Sequence, residues 1–376
     1  MKINILDAGI RSRAGHHYDY GLKLLKFYTA AGHDVHVYGS LQMDDEVAGD
    51  FQGFGETTRL FRTFPYQPEH TYDWYAGTIV RYFRESASMA EDLRSVRQAD
   101  LWIWPTLRAW EVDACASHGV DVPMVGCVYW DPGLESRTID ARLWRNAFVA
   151  AQARGVALTL ASVEPELRHR FTPILANGRF AVVPHPVGGP PIPEPKTTLK
   201  RIGFFGHQRE EKGSRMMKPL LLRLVQDGYS ITFHNSDRGA DFLDVPGVDM
   251  LRYAEDIAVP IAECDLVVLP YNVERYRARG SGILAECLAL GIPVTAPVGT
   301  LPGRIIEQSG VGPLFIANSL GPIYQAIKMA ERNYSNFAVK AHRSARQFCA
   351  RNGVAQFASA LLAAAGLANL PKIRRS

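Results

Sequence analysis

Apolar residues in this chain fall into short continuous runs, and between them lie longer stretches with helical periodicity. In the first half the runs cover residues 3–6, 35–38, 101–104, 124–129, 157–161 and 181–183. In the second half they cover residues 201–205, 230–233, 266–269, 293–295 and 312–316. Continuous apolar runs of this length are typical of parallel strands that are covered on both faces. Their alternation with helices predicts an α/β protein with doubly wound parallel sheets.

A segment rich in proline and glycine, GGPPIPEP from Gly188 to Pro195, interrupts this pattern. Such a composition is typical of a semi-rigid linker, and 376 residues suffice for two domains. The predicted divisions are a Rossmann-like domain over 1–187, a linker over 188–199, a second Rossmann-like domain over 200–345, and a C-terminal helix with a basic tail over 346–376 that packs back toward the first domain. Ligands of such sheets bind beyond the carboxyl ends of the strands, so we expect the two domains to face a cleft.

The most informative segment is residues 265–297, DLVVLPYNVERYRARGSGILAECLALGIPVTAP. It predicts a buried strand, a polar loop, a helix that opens at Ser281, and a second buried strand. The free N–H groups of the helix start favour an anion. Glu286, one turn further on, is placed to accept hydrogen bonds from the hydroxyls of a ligand. A phosphate and sugar hydroxyls side by side indicate a sugar nucleotide.

This segment resembles the donor-binding signature of retaining GT-B glycosyltransferases of the "group 1", or family 4-like, type. In that family two acids, with seven residues between them, precede a Gly-x-Pro-Val sequence. Glu286 matches the second acid and is followed by Gly291, Pro293 and Val294, whereas Ala278 stands at the position of the first acid. The resemblance implies two Rossmann-like domains that face a cleft, with Glu286 on the ribose of the donor. The further donor-binding residues that it implies here are Arg279, Ser281 and Gly282.

A second stretch that matches the family lies at residues 205–213, FGHQREEKG, after the first strand of the second domain. In the family this turn supplies an arginine and a lysine that neutralise the donor diphosphate. We therefore expect Gly206, Arg209 and Lys212 to bind the donor, and the two cations to stabilise the leaving diphosphate in place of a metal ion. The alternative is a solvated loop with charge pairs among Arg209, Glu210 and Lys212.

The loop after the first strand, residues 7–18, is rich in polar residues. Gly15 matches by position a glycine that approaches the donor phosphate in the family. Arg11, His16 and His17 are predicted to contact the acceptor, and an imidazole there would orient the acceptor or take its proton. The alternative for each histidine is a capping or packing role at the start of the first helix.

A fourth candidate is the sequence YWDPG at residues 129–133. Asp131 is predicted to be catalytic, because relatives place an ionisable residue near the reacting sugar carbon, and Trp130 is predicted to stack on a sugar of the acceptor. The alternative for Asp131 is a turn residue that precedes a proline.

These sites and the resemblance together predict a glycosyltransferase that moves a sugar from a nucleoside-diphosphate sugar to a glycan or lipid-linked acceptor. The resemblance further implies retention of configuration, no metal ion, no other cofactor, and a role in polysaccharide biosynthesis. The catalytic residues would be Asp131, Arg209 and Lys212. The alternatives are a nucleotide-sugar epimerase of the same fold, a catalytically silent sugar-nucleotide-binding protein, and a nicotinamide-dependent dehydrogenase. The absence of a G-x-G-x-x-G sequence counts against the dehydrogenase.

Charge and hydropathy bear on the location of the protein. Residues 327–376 contain nine Lys/Arg and one Glu, whereas the whole chain has a net charge of only +4. Such a basic segment favours an anionic membrane surface. Nucleic acid is not expected as a partner, because aromatic residues do not interleave with the basic ones. No signal peptide is visible and no apolar run approaches ~18 residues, so we expect a cytoplasmic protein that contacts the inner face of the membrane peripherally.

Overall fold

The structure of the protein, a computed structural model, describes residues 1–13, 15–65, 74–133, 139–175, 178–188, 191–206, 214–234, 245–252, 254 and 256–367. The chain forms two compact units. The first unit comprises Met1–Pro186 and the C-terminal segment that starts at Val354, and the second comprises Val187–Gly353.

The first unit contains a seven-stranded sheet in the order β3-β2-β1-β4-β5-β6-β7, and all its strand pairs are parallel. Its strands are β1 (Lys2–Leu6), β2 (Asp34–Ser40), β3 (Glu56–Phe61), β4 (Leu101–Trp104), β5 (Met124–Cys127), β6 (Leu158–Ser162) and β7 (Arg179–Val182). Its helices are α1 (Gly15–Ala30), α2 (Asp45–Gln52), α3 (Trp74–Asp92), α4 (Ala109–His118), α5 (Ile139–Ala153), α6 (Pro165–Phe171) and the C-terminal α13 (Val354–Ala364), with a 3-10 turn at Leu93–Ser95.

Both faces of this sheet are buried, which explains why its central strands are apolar at consecutive positions. On β1, Ile5 belongs to one core cluster and Leu6 to the cluster on the opposite face, and both side chains are fully buried. Helix α13 covers the Ile5 face together with α1: Phe357 is buried there, and the Tyr28 hydroxyl donates a hydrogen bond to the Ala358 carbonyl at 2.8 Å.

The second unit contains a six-stranded parallel sheet in the order β10-β9-β8-β11-β12-β13. Its strands are β8 (Arg201–Phe204), β9 (Ser230–His234), β10 (Val248–Leu251), β11 (Leu266–Val268), β12 (Val294–Pro297) and β13 (Leu314–Phe315). Its helices are α7 (Ser214–Gln226), α8 (Ala258–Glu263), α9 (Gly282–Leu290), α10 (Leu301–Ser309), α11 (Leu320–Arg332) and α12 (Tyr334–Arg351).

The predicted fold class, α/β with two doubly wound parallel sheets, is confirmed. The strand predicted at 101–104 has the bounds of β4, and the strand predicted at 124–129 ends two residues earlier, at Cys127. Strands β3 and β10 were not predicted. Both are edge strands, and most of their residues are half-buried or exposed, so their sequences do not form the continuous apolar runs of the central strands.

The segment between the domains packs on the second unit. Val187 contacts Ala285 and Ala289 of α9, and Lys196 forms an ion pair with Asp265 at 2.7 Å. Lys372, Arg374 and Arg375 of the predicted basic tail lie outside the described residues. In the part of the chain that the structure describes, no helix has the length and apolar character needed to cross a bilayer.

Candidate active site

In the second unit, the loop after β11 leads into the N-terminus of α9. Ser281 is the N-cap, and its Oγ accepts a hydrogen bond from the Leu284 N–H at 3.2 Å. The N–H groups of Gly282 and Ile283 precede the first intrahelical hydrogen bond. Gly282 is exposed, and a Cβ added to it would meet nothing within 4 Å. The structure therefore leaves room for a ligand at the helix start.

Aromatic stacking holds the loop between β11 and α9 in place. The rings of Tyr271 and Tyr276 stack with centroids 3.9 Å apart, and the Arg279 guanidinium lies 5.3 Å from the centre of the Tyr276 ring. The Tyr271 hydroxyl lies 2.9 Å from Ser281 Oγ, so the stack is tied to the cap of α9. Ala278, at the position of the family's first acid, is buried.

Glu286 lies one turn into α9 and is 9% exposed. Burial first, and then the nearby charge of Glu286, raise the pKa of the Cys349 thiol. A mostly buried carboxylate on the helix that offers its N-terminus to an anion is suited to bind the hydroxyls of the same ligand.

Gly291 ends α9 in the left-handed region, with φ 68°, and caps the helix by donating to the Cys287 carbonyl. A Cβ at this position would also lie 2.9 Å from His342 Cα, closer than any real Cβ contact. The glycine of the matched signature is therefore explained by backbone conformation and by the close approach of α12.

Gly206 follows β8 with φ 97° and donates its N–H to His234 Nδ1 at 3.2 Å. Residues other than glycine rarely adopt this backbone conformation. Arg209 and Lys212 lie outside the described residues, so their role as phosphate ligands stays a prediction.

In the first unit, the loop after β1 contains a buried carboxylate–imidazole pair. His17 Nδ1 lies 2.7 Å and 2.9 Å from the two carboxylate oxygens of Asp7, and both residues are under 5% exposed. Asp7 Oδ1 also accepts the Gly9 N–H at 2.8 Å. Because Asp7 acts as acceptor, the proton between the two groups belongs on Nδ1 of His17.

Gly9 makes this pair sterically possible. A Cβ on Gly9 would lie 2.3 Å from His17 Nδ1, so the imidazole packs directly on the glycine backbone. The ring of His16 is 4.2 Å from that of His17 and 5.4 Å from that of Tyr129. Gly15, with φ 78°, is the first residue of α1.

Glu111, in the first turn of α4, is a third buried ionisable group beside this pair. Its Oε2 accepts the Arg108 N–H at 2.6 Å. Burial raises the pKa of Glu111 to about 8; Arg108 and His17 lower it and Asp7 raises it, so the carboxyl lies within electrostatic reach of all three. Neither Asp7 nor Glu111 was among the predicted site residues.

Trp130 belongs to a row of cations and aromatic rings. The Arg108 guanidinium lies 4.6 Å from the centre of the Trp130 ring and 5.1 Å from that of Trp110, and Arg81 lies 5.5 Å from Trp110. Arg11, which is exposed, lies 5.2 Å from the ring of Phe64. Stacked arginines bind planar and anionic groups, which suits an acceptor site.

Asp131 is buried and makes two contacts. Its Oδ1 accepts the Gly133 N–H at 2.8 Å, and its Oδ2 lies 3.3 Å from Arg170 Nε. The first contact is the turn that the sequence offered as the alternative to a catalytic role. The catalytic role of Asp131 stays a prediction.

Solved structures of other proteins share this fold over nearly the full length of the chain. HepE of Anabaena, solved in complex with UDP-glucose, has a TM-score of 0.65 at 16% identity, with 98% of this chain and 100% of that chain covered. Sucrose-phosphate synthase of Thermosynechococcus elongatus has a TM-score of 0.66 at 13% identity, covering 95% and 96%. The glycosyltransferase SnogD of Streptomyces nogalater has a TM-score of 0.61 at 17% identity, covering 97% and 99%. The fold is GT-B. No protein-family model matches the chain, and no curated protein matches its sequence.

In each unit of this GT-B fold, the candidate residues gather at one edge of the sheet. The first edge, as we call it below, comprises the loops after β1, β4 and β5 together with the first turns of α1 and α4. It contributes Asp7, His17, Arg108, Glu111 and Trp130. The second edge comprises the turn after β8 and the start of α9, which contribute Gly206, Ser281, Gly282 and Glu286. The carboxyl ends of parallel strands are the usual ligand-binding edge of such sheets. One signal for Asp7 was available in the sequence: an acid that directly follows an apolar strand and lies two residues before a glycine.

Proposed function

We propose that the protein is a glycosyltransferase that moves a sugar from a nucleoside-diphosphate sugar to a glycan or lipid-linked acceptor. The observation that carries this proposal is the second edge, where the exposed start of α9 and the mostly buried Glu286 follow one another within a GT-B fold. A diphosphate and a ribose are the groups that such a pair binds. HepE, whose fold is similar, has been solved with UDP and with UDP-glucose, which supports a nucleotide sugar as the donor here.

In the proposed donor complex, the N–H groups at the start of α9 bind one phosphate and Glu286 binds the ribose hydroxyls. Arg209 and Lys212, carried over from the family resemblance, neutralise the leaving diphosphate, so that the reaction proceeds without a metal ion. Arg279 and the turn at Gly206 complete the donor site, and Gly15 approaches the donor phosphate.

The acceptor is proposed to bind at the first edge, with Arg11, His16 and Trp130 among its contacts. Asp7 holds His17 at 2.7 Å through Nδ1, the arrangement in which a carboxylate orients an imidazole that acts as general base. His17 would then take the proton of the acceptor hydroxyl as the hydroxyl oxygen attacks the anomeric carbon.

The stereochemical course follows from which group takes that proton. The family resemblance implies retention, with the leaving phosphate as the base. The Asp7–His17 pair favours a second candidate, a direct displacement with inversion, because that course needs a base on the acceptor side. The configuration of the product, read from the coupling constant of its anomeric proton by NMR, decides between them.

Two other functions of the same fold are distinguished by turnover. A silent sugar-nucleotide-binding protein is favoured by the buried Ala278 at the position of the family's first acid. Such a protein needs no general base, so this function does not explain the Asp7–His17 pair. A nucleotide-sugar epimerase would convert the donor without releasing nucleoside diphosphate, whereas a transferase releases it.

The first test is a thermal-shift panel with UDP, GDP, ADP, dTDP and NAD⁺, each at millimolar concentration. A ligand at 100 times its Kd adds about 2.7 kcal/mol to the free energy of unfolding, which corresponds to a shift of a few degrees. We expect stabilisation by one nucleoside diphosphate, followed by release of that diphosphate from the matching sugar nucleotide. A response to NAD⁺ only, or to none of the five, would overturn the proposal.

A further inference from the structure

Two helices of the second unit begin at hydroxyl side chains, and the two hydroxyls differ in their partners. Thr300, the N-cap of α10, accepts the Gly303 N–H at 2.9 Å and donates to the Pro297 carbonyl at 2.8 Å. Its side chain is fully buried. The hydroxyl of Thr300 is therefore satisfied inside the protein both as acceptor and as donor, as expected of a cap whose role is structural.

Ser281, the N-cap of α9, has a different set of partners. Its Oγ accepts the Leu284 N–H at 3.2 Å and lies 2.9 Å from the Tyr271 hydroxyl. In the described part of the chain, no backbone carbonyl accepts the Ser281 O–H. The residue is half-buried, and Gly282 beside it is exposed. Ser281 therefore caps α9 at the accessible helix start, where the proposed donor binds.

Chemistry favours Tyr271 as the donor of the bond between the two hydroxyls. Burial raises the pKa of the Tyr271 hydroxyl, so this group keeps its proton at any ordinary pH. A phenol is a stronger acid than an aliphatic alcohol, and its oxygen shares electron density with the ring, so it donates more readily than it accepts. With Tyr271 as donor, the two lone pairs of Ser281 Oγ accept one N–H and one O–H. The proton of Ser281 then remains for an acceptor outside this cluster.

Packing holds the Tyr271 ring and therefore the direction of its hydroxyl. The ring is 2% exposed and stacks on Tyr276, with an angle of 19° between the two planes. The Tyr276 N–H donates to the Asn272 carbonyl at 3.0 Å, and the Tyr276 carbonyl accepts the Leu301 N–H at 2.8 Å. The stack is thus tied to the loop on one side and to the start of α10 on the other. A hydroxyl that is oriented before the ligand arrives binds it at a lower entropic cost.

We infer that the Ser281 hydroxyl donates a hydrogen bond to the diphosphate of the donor and that Tyr271 is the positioning residue that orients it, an inference that rests on the proposed glycosyltransferase function. An ionised phosphate oxygen accepts hydrogen bonds and has no proton to donate, so it matches a hydroxyl whose lone pairs are both occupied. Together with the N–H groups of Gly282 and Ile283, the Ser281 O–H gives the helix start three donors for one phosphate group.

The test measures Kd values by titration calorimetry on the full chain. The first probe is whichever of UDP, GDP, ADP and dTDP stabilises the protein in the thermal-shift panel, and the second is the corresponding nucleoside, which lacks phosphate. Ser281→Ala removes a hydrogen bond to a charged group and should raise the Kd of the diphosphate about tenfold. Tyr271→Phe keeps the ring but no longer orients the Ser281 hydroxyl, and should raise that Kd about threefold. The Kd of the nucleoside should change less than about twofold in both variants.

The double variant Tyr271→Phe/Ser281→Ala separates positioning from a general effect on the loop. If Tyr271 acts through Ser281, its substitution should change the Kd of the diphosphate less than about twofold once residue 281 is alanine. If Tyr271 only stabilises the loop, the two losses should multiply to about thirtyfold, and this result would reject the positioning role.

Two controls are matched to these variants. Thr300→Ala removes the other capping hydroxyl and should lower the melting temperature of the free protein, while the Kd of the diphosphate stays within about twofold of wild type. Tyr324→Phe removes a hydroxyl that donates to Asp227 at 2.6 Å, and it should likewise leave the Kd unchanged. Ser281→Gly keeps the test valid if Ser281→Ala fails to fold, because glycine is tolerated at N-cap positions.

An unchanged Kd in Ser281→Ala would overturn the inference, as would equal losses in Ser281→Ala and Thr300→Ala. An unchanged Kd in Tyr271→Phe would reject Tyr271 as the positioning residue. The thermal shift reports separately on the proposed function. If none of the four diphosphates stabilises the wild-type protein, the proposed function is rejected and the role of Ser281 falls with it. If one of them does and its Kd is indifferent to Ser281→Ala, only the present inference is rejected.

Discussion

The two edges present different kinds of chemical groups to a ligand. The second edge presents backbone N–H groups, small residues and a single mostly buried carboxylate, all within two short stretches of chain. The first edge presents ionisable and aromatic side chains that three separate stretches of the chain supply. Backbone donors recognise phosphate whatever is attached to it, whereas side chains move protons and select shapes. Changes at the second edge should therefore alter donor affinity, and changes at the first edge should alter rate and acceptor choice.

The largest effect is expected from His17→Ala. If His17 takes the acceptor's proton, its loss lowers the rate of nucleoside-diphosphate release by about 10²–10⁴-fold, the usual contribution of a general base. The thermal shift with the nucleoside diphosphate should remain, because the donor contacts belong to the other edge. The measurement is the initial rate of diphosphate release at saturating donor, beside that thermal shift.

The control for this variant is His169→Ala, an exposed histidine on α6 of the same unit, which should keep the wild-type rate. A loss below about tenfold in His17→Ala would indicate that the leaving phosphate takes the proton. The catalytic base would then be a phosphate group of the donor and not a residue of the first edge.

The next effect is expected from Glu286→Gln. The substitution keeps the size of the side chain but removes a charged acceptor, and hydrogen bonds to charged groups contribute about 1.5–3 kcal/mol. The Kd for the nucleoside diphosphate should rise about 10–100-fold, with little change in the rate at saturating donor. Titration calorimetry measures the Kd, and Glu307→Gln, an exposed acid on α10, is the matched control. An unchanged Kd would remove Glu286 from the ribose site.

The contrast between the edges also explains how far the sequence could be interpreted. The second edge is local: Ser281, Gly282, Glu286 and Gly291 lie within eleven residues, so their spacing was visible in the sequence. At the first edge, Asp7 and His17 are only ten residues apart. Glu111 comes within electrostatic reach of them because β1 and β4 are neighbours in the sheet. No local sequence pattern specifies the order of strands in a sheet. Arg108, Trp110 and Glu111 could therefore not be predicted as site residues.

The same contrast holds for the strands. The central strands are buried on both faces, and their apolar runs predicted them to within a few residues. The edge strands β3 and β10 are only half-covered, and a sequence such as Glu56–Phe61, ETTRLF, has the polarity of a loop. Sequence periodicity therefore located the central strands and the edge strands β7 and β13, but not the edge strands β3 and β10.

A smaller effect is expected from Gly291→Ala, which perturbs the helix that forms the second edge. The alanine would be held at φ 68° and its Cβ would lie 2.9 Å from His342 Cα, so we expect a loss of about 2–3 kcal/mol in the free energy of unfolding. Gly228→Ala is the control, because Gly228 also has a positive φ, 86°, but a Cβ there meets nothing within 4 Å. It should cost about 1 kcal/mol. Thermal unfolding measures both, at about 2–4 °C per kcal/mol for a unit of this size. Equal losses would show that α12 moves aside without cost.

The smallest effect is a dependence of stability on pH that belongs to the first edge. Burial raises the pKa of Glu111 from its ordinary 4.5 to about 8 in the folded protein. Between these values the folded state holds a proton that the unfolded state has released, so the free energy of unfolding falls as pH rises. The stabilising contribution is complete below about pH 4.5 and is lost as the pH passes through about 8.

Glu111→Gln removes this titration while it keeps the shape of the side chain. We expect the melting temperature of wild type minus that of Glu111→Gln to decrease between pH 5 and pH 8.5. Glu164, whose pKa burial raises to about 7, gives a slope of the same sign, but it titrates in both proteins and cancels in the difference. Glu46→Gln, an exposed acid of the same unit, should show a constant difference. A constant difference for Glu111→Gln as well would mean that the folded protein does not hold a proton on Glu111, so that burial does not keep this carboxyl neutral.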